Sequence, residues 1–402
     1  MQVKEIERAA ERLRQVIHTT PLSSSRTFSD MSGAELYLKC ENQQKTGSFK
    51  VRGAANKLMC LVERGEKPPA VVASSAGNHA QGVAFAARAL GIGATIVMPR
   101  STPIAKVLAT EAYGAKIDLF GDCYDDAYGR ALEIQQNEGA ALIHPFDDRE
   151  VIAGQGSIGL EILAALPNVD AVLMPAGGGG LLAGVASYIK QINPRVEIIG
   201  VQAEGAPAIV NSFKKGKLAA TRDVHTVADG IAVKQPGTLT FELIQKHVDK
   251  MVTVNDAEIA ATILLLLERD KQVVEPAGAV ALTAALNQRV DLRGKRAVCL
   301  LSGGNIDVSF IHKVVEQGLI KRGRLMRFNV LMADKPGSLA TVSGIVADSG
   351  ANIIMVEHDR MHADLDINEA ILHVACEVSG TEAGRALLES IRQAGYEVAM
   401  ES

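Results

Sequence analysis

A chain of 402 residues has room for two or three domains, and a hydrophobic fraction of 47% lets it bury a sizeable core. Its 42 Lys and Arg against 46 Asp and Glu leave a formal net charge of -4, so charge gives no reason to expect nucleic acid or an anionic membrane as partner. Apolar runs stop short of the roughly 20 residues that a membrane helix needs: residues 263–267 are apolar but end at Glu268, Arg269 and Asp270.

The first residues, with Glu5, Glu7 and Glu11 among basic neighbours, read as an amphipathic helix and lack the apolar core and cleavage site of a signal peptide. From about residue 36 to 315, β-type runs alternate with helical patterns. Strands are expected at 35–40, 70–73, 94–98, 116–120, 171–176, 197–202 and 297–302, and helices at 53–63, 77–90, 104–113, 124–138, 154–166 and 181–192. Such alternation predicts parallel sheets covered by helices. Three strands run straight into small-residue clusters, at 74–77, 177–180 and 302–305. Ligands of open α/β sheets sit at such strand ends. From 327 the pattern changes to strand, helix, strand, strand, helix, strand (327–332, 338–349, 352–358, 369–378, 382–394, 396–400), a βαββαβ unit of the ferredoxin-like kind. Residues 316–324, with Gly318, Gly323 and several basic residues, read as the hinge.

The five cysteines, Cys40, Cys60, Cys123, Cys299 and Cys376, are far apart and form no C-x-x-C pair. Neither a zinc site nor a disulfide framework follows, and the expectation is a cytoplasmic protein with reduced thiols. The nine histidines show no ligand spacing, so no metal site is expected.

Four clusters can carry chemistry. In Thr46-Gly47-Ser48-Phe49-Lys50, a lysine that attacks a carbonyl must lose its proton, and Phe49 can supply apolar packing; alone, the string reads better as a solvated loop. Ser74-Ser75-Ala76-Gly77-Asn78-His79 joins a strand to a helix, where outward N–H groups suit a carboxylate or phosphate, or where a serine is simply an N-cap. Gly177-Gly178-Gly179-Gly180-Leu181 lacks the P-loop ending and the G-x-G-x-x-G spacing; it is a phosphate cup or a tight turn. Ser302-Gly303-Gly304-Asn305 follows an apolar strand and could be a helix cap.

Taken in order and spacing, the strings S-F-K-V-R-G-A, S-S-A-G-N-H-A-Q-G-V-A, V-I-A-G-Q-G-S-I-G-L-E-I, G-G-G-G-L and S-G-G-N-I-D resemble the threonine dehydratases (threonine ammonia-lyases) of the pyridoxal 5'-phosphate (PLP) fold type II group. The resemblance covers residues 1–320. It implies a two-lobed α/β catalytic domain of the tryptophan synthase β-like kind, with the smaller lobe at about 52–153. Lys50 is then the Schiff-base lysine and Phe49 packs on the pyridine ring. Asn78 bonds the ring's 3-hydroxyl oxygen, Gly177, Gly178, Gly179, Gly180 and Leu181 cradle the phosphate, and Ser302 faces the pyridine nitrogen. Ser75, Gly77, Asn78 and His79 surround the substrate carboxylate. The implied reaction is β-elimination (dehydration followed by hydrolytic deamination) of L-threonine to 2-oxobutanoate and ammonia, with L-serine to pyruvate as side activity. Serine racemase is the relative to exclude: a serine there resembles the position of Ala76, which can take no proton, so elimination without racemisation is expected. Rival readings are a dehydratase for another β-hydroxy amino acid, such as 3-hydroxyaspartate, and a catalytically silent amino-acid sensor.

Asp334-Lys335-Pro336-Gly337-Ser338-Leu339, with the βαββαβ order, resembles the ACT domains, small-molecule sensors that pair. That likeness implies feedback by isoleucine or valine, contacts at Gly337, Leu339, Asn352 and Ile353, a 321–326 linker before a 327–402 regulatory domain, and a homo-oligomer, dimer or tetramer, serving isoleucine biosynthesis.

Overall fold

The computed structural model describes residues 1–361 and 365–401. The chain divides into two compact units, Met1–Ile306 and Asp307–Ser402. The first unit contains ten strands among the described residues: β1 (Leu22–Ser24), β2 (Glu35–Cys40), β3 (Ala70–Ser74), β4 (Gly93–Met98), β5 (Lys116–Leu119), β6 (Ala141–Leu142), β7 (Ala171–Pro175), β8 (Glu197–Ala203), β9 (Lys250–Val254) and β10 (Arg296–Leu301). They form two sheets, β1-β2-β10-β7-β8-β9 and β5-β4-β3-β6. Only β1 runs antiparallel to its neighbour. The central strands of the larger sheet, A-V-L-M-P in β7 and R-A-V-C-L-L in β10, are buried along nearly their whole length. A parallel sheet with helices on both faces demands such runs.

Three helices fix the frame of the site. Lys50–Glu63 packs on Arg149–Ala165, and that helix packs on Gly180–Ile192. Glycine lets them approach closely: a Cβ at Gly154 would lie 2.5 Å from the carbonyl oxygen of Arg52. The string V-I-A-G-Q-G-S-I-G is therefore a packing face inside a helix, not a ligand loop. This helix also starts five residues earlier than its apolar pattern predicts, because the Asp148 carboxylate accepts from the N–H groups of Glu150 and Val151 at 2.8 and 3.0 Å. The lysine helix likewise begins at Lys50 rather than at 53. No side chain caps it, so its start carried no local signal.

Beside Lys50–Glu63 lies a buried ion cluster. Arg52 and Glu41 are both 0% exposed and pair at 2.8 Å; Arg52 also reaches Glu161 at 2.6 Å, and Lys39 meets Glu161 at 2.5 Å. Ser157 Oγ accepts from Arg52 at 3.0 Å, and the Thr20 carbonyl accepts from Lys39 at 2.7 Å. Two cations and two carboxylates thus neutralise each other out of water, as buried charges must.

In the second unit, β11 (Leu325–Ala333), helix Ser338–Asp348, β12 (Asn352–Asp359), β13 (Glu369–Glu377), helix Thr381–Gln393 and β14 (Glu397–Met400) give the expected βαββαβ order. The sheet, β12-β13-β11-β14, is antiparallel throughout and packs one face on both helices around Phe328, Val330, Leu372, Val374, Leu387 and Ile391. Residues 316–324, read from sequence as a hinge, are the last turns of a helix, Val308–Lys321, and a turn at Gly323. That helix belongs to the second unit, where Arg327 pairs with Glu316.

Candidate active site

The four clusters meet at the C-terminal ends of β3, β7 and β10. The lysine loop is stitched to the end of β10: Phe49 N–H donates to the Ser302 carbonyl at 3.1 Å, Gly304 N–H donates to the Gly47 carbonyl at 2.9 Å, and Ser48 pairs with Gly303 in an isolated antiparallel bridge. Thr46 adopts a left-handed φ of 64°, unusual for a β-branched residue, and its carbonyl accepts from Asn305 Nδ2 at 2.8 Å. Lys50 and Ser302 are thereby held on adjoining backbone. Asn78 opens the helix after β3; its Oδ1 accepts from Asn305 Nδ2 and its Nδ2 donates to Glu275 Oε1, each at 2.7 Å.

The glycine loop after β7 is reached through residues 144–147. The Pro145 carbonyl accepts from Lys50 Nζ at 3.0 Å. The next residue, Phe146, lies against the loop so closely that a Cβ at Gly178 would fall 2.2 Å from its ring. Asp147 accepts from the N–H groups of Thr238 and Thr240, both at 3.0 Å, and Thr240 Oγ1 donates to the Gly178 carbonyl at 2.7 Å. The helix Gly180–Ile192 starts at the loop, so its unpaired first N–H groups and positive dipole end are there for an anion.

The electrostatics select Lys50. Burial lowers its pKa to about 8, with Glu275 opposing the shift. Around pH 8, then, about half of the amine is neutral and nucleophilic, which an ordinary lysine is not. Glu275 is buried, and burial first, then Asp229, raises its carboxyl to about 8, while the Asn78 hydrogen bond works the other way. Burial and the Lys50 charge push His79 down to about 3, so its ring is neutral; Nε2 lies 2.8 Å from the Ile143 carbonyl and must be the protonated nitrogen. The His79 side chain is therefore committed to the protein, and its backbone N–H is what it can offer a ligand. Ser75 Oγ accepts from Gly77 N–H at 3.2 Å, and the space where a Gly77 Cβ would stand is open.

A desolvated amine at one end and a side-chain-free loop at a helix N-terminus at the other fit a phosphorylated aldehyde. Ser48 Oγ, buried two residues before Lys50, lacks a hydrogen-bond partner within the protein, as does Ser74 Oγ at the end of β3. Sequence reading missed two contributors. Glu275 sits in an unremarkable V-V-E-P string. His144-Pro145-Phe146-Asp147 follows the two-residue strand β6, too short to register as a strand end; the His144 ring accepts from Phe146 and Asp147 N–H groups at 3.2 and 2.8 Å, which sets the turn.

In the second unit, Gly337 and Leu339 line a cleft of about 490 Å³ together with Met332, Asp334, Lys335, His358 and Arg360. Asn352 and Ile353 do not line it; they begin the edge strand β12, opposite Glu377 and Cys376.

Residues 13–303 match the family model described as pyridoxal-phosphate dependent enzyme, and residues 326–394 match that of the ACT domain. An L-threonine ammonia-lyase of Thermotoga maritima is 48% identical over 396 residues, 98% of each chain. Among solved structures, maize serine racemase resembles this chain with a TM-score of 0.75 at 34% identity, over 80% of this chain and 98% of its own. The processed form of threonine deaminase isoform 2 from Solanum lycopersicum does so with 0.74 at 40%, over 78% and 92%. The fold expected from the motifs, a type II catalytic part followed by an ACT unit, stands on these likenesses and on the topology above. The chain belongs to the pyridoxal-phosphate dependent enzyme family and carries a C-terminal ACT domain.

Proposed function

We propose that this enzyme eliminates water from L-threonine and that hydrolysis of the resulting imine takes up water and releases ammonia, a net conversion to 2-oxobutanoate and ammonia, and that it acts on L-serine more slowly to give pyruvate. The observation that carries the reading is the Lys50 amine, desolvated and held at 3.0 Å by the carbonyl of Pro145, whose neighbour Phe146 packs on the glycine loop. PLP, when bound, supplies the electron sink for the charge left at the substrate's Cα. Lys50 Nζ would hold the cofactor, and as a free amine it would take the Cα proton. Gly177–Gly180 and Leu181 would bind the phosphate by backbone N–H groups. Ser302 Oγ would face the pyridine nitrogen as a neutral hydroxyl donor, which would favour elimination over longer-lived carbanion chemistry. Asn78 would orient the ring, Phe49 would pack on it, and Ser75, Gly77 and the His79 N–H would receive the carboxylate. Ala76 offers no proton on the face away from Lys50, so the product is keto acid without D-serine, despite the likeness to a racemase.

The chemistry is assigned to residues 1–320 and the sensing to 327–402, with 321–326 between. In the ACT unit the reading places an isoleucine or valine effector near Gly337, Leu339, Asn352 and Ile353, as feedback in isoleucine biosynthesis. The exposed apolar residues Ile354, Met355 and Val356 on the edge strand β12 favour a homo-oligomer, dimer or tetramer. Among the described residues no helix is long and apolar enough to cross a membrane, and the free cysteines, four of them buried, suit the cytoplasm. Keto-acid assays with threonine, serine and 3-hydroxyaspartate, each with and without isoleucine or valine, test the reading. Threonine turnover that responds to one effector is expected. Preference for 3-hydroxyaspartate, D-serine formed as fast as pyruvate, or indifference to both effectors in kinetics and melting would each refute the corresponding part.

A further inference from the structure

Glu275 is a buried carboxyl that the proposed chemistry does not use, yet it touches the site from behind. Its Oε1 accepts from Asn78 Nδ2 at 2.7 Å and packs on Gly303, where a Cβ would come within 2.5 Å of it. Its backbone N–H donates to the Gly303 carbonyl at 3.0 Å. Asn78 Oδ1 is taken by Asn305, whose Nδ2 also reaches the Thr46 carbonyl. The Asn78 amide is therefore gripped at both ends. The Asn305 end belongs to the lysine-loop stitch, and the Glu275 end is a single ionisable group.

We infer that Glu275 is a positioning residue that sets the orientation of the Asn78 amide toward the cofactor ring, and that its protonation state is transmitted to the cofactor through that amide. This rests on the proposed role of Asn78. An amide N–H donates more strongly to a carboxylate than to a carboxylic acid. Ionising Glu275 therefore tightens the grip on Nδ2 and places a negative charge behind the ring. Three charged groups face the carboxyl: Asp229 on the 229–231 turn opposes its ionisation, while Lys106 on the helix Ile104–Glu111 and Lys50 favour it. Lys106 and Asp229 pair with each other at 2.8 Å, so their effects on Glu275 partly cancel and burial is left as the main control.

The test uses the holoenzyme and two readouts besides turnover. In a double-mutant cycle, Glu275→Ala and Asn78→Ala are each expected to weaken PLP binding about tenfold or more, and the double variant no further than the worse single one. Additive losses would mean that Glu275 only supports the fold, and would overturn the inference. Glu275→Gln, isosteric with the neutral acid, guards against misfolding. The wild-type cofactor band should change with pH through a transition near 8, and Glu275→Gln should lack it. A transition retained in Glu275→Gln overturns the inference. Failure of the underlying reading looks different: the wild-type protein would show no Lys50-dependent band at all.

Discussion

Lys50 and Arg52 stand two residues apart on one helix, and their surroundings could hardly differ more. Arg52 is 0% exposed and carries two carboxylates, Glu41 and Glu161, with Ser157 completing its hydrogen bonds. Lys50 has a neutral carbonyl, that of Pro145, and an aromatic face at 5.3 Å. Both cations are out of water. Only the paired one keeps its charge firmly: burial opposes it, and Glu41 and Glu161 outweigh that opposition. The unpaired one is pushed toward the free amine. The comparison teaches how one segment can serve as both anchor and reagent: partner carboxylates make a buried cation structural, and withholding them makes it reactive.

Several substitutions break or sharpen this contrast. Lys50→Ala should abolish turnover, on the order of 10^4-fold or more, while lowering the melting temperature far less than loss of Arg52, because it breaks one hydrogen bond and no ion pair. Arg52→Met should do the reverse: it strands Glu41 and leaves Glu161 with Lys39 alone, and is expected to destabilise the fold by about 3–5 kcal/mol in chemical denaturation. Whatever activity it loses should follow the loosened helix, and the cofactor is expected to attach at Lys50, as proposed for the unaltered enzyme. Gly154→Ala puts a methyl within 2.5 Å of the Arg52 carbonyl, an overpacking of about 1–3 kcal/mol that should appear as a lower midpoint of unfolding.

A gentler probe is pH. Below its pKa of about 8 the Lys50 amine is protonated and cannot attack, and above it the amine is free. Cofactor uptake by apoenzyme should thus accelerate by close to tenfold per unit as pH rises toward 8 and level off above it. A midpoint above about 10, where ordinary lysines titrate, would remove the contrast between Lys50 and Arg52.

Much of the architecture was legible before any coordinates. The near-continuous apolar runs at 171–175 and 296–301 announce buried parallel strands, and the switch of pattern after 323 announces a second kind of unit. The glycine loop and the two serine-led turns were legible as strand ends. Their convergence was not, since parallel strands meet only through crossovers that local periodicity does not encode. The residues that bind the site together from outside those loops, Pro145, Phe146, Asp147 and Glu275, give no sequence signal of their own. Their roles are long-range: a carbonyl for an amine 95 positions away, and a carboxyl for an amide 197 positions away. His79 divides its roles. Its ring serves the Ile143 carbonyl, which leaves its backbone N–H for the ligand contact expected from the S-S-A-G-N-H string.

Lys50 is the amine proposed to carry the cofactor, made reactive by burial with no salt-bridge partner among the described residues. Borohydride reduction of the holoenzyme followed by peptide mapping tests it most directly. The account requires the added phosphopyridoxyl mass on the peptide containing Lys50, in near-stoichiometric yield. Finding that mass on any other lysine, or on none, contradicts it.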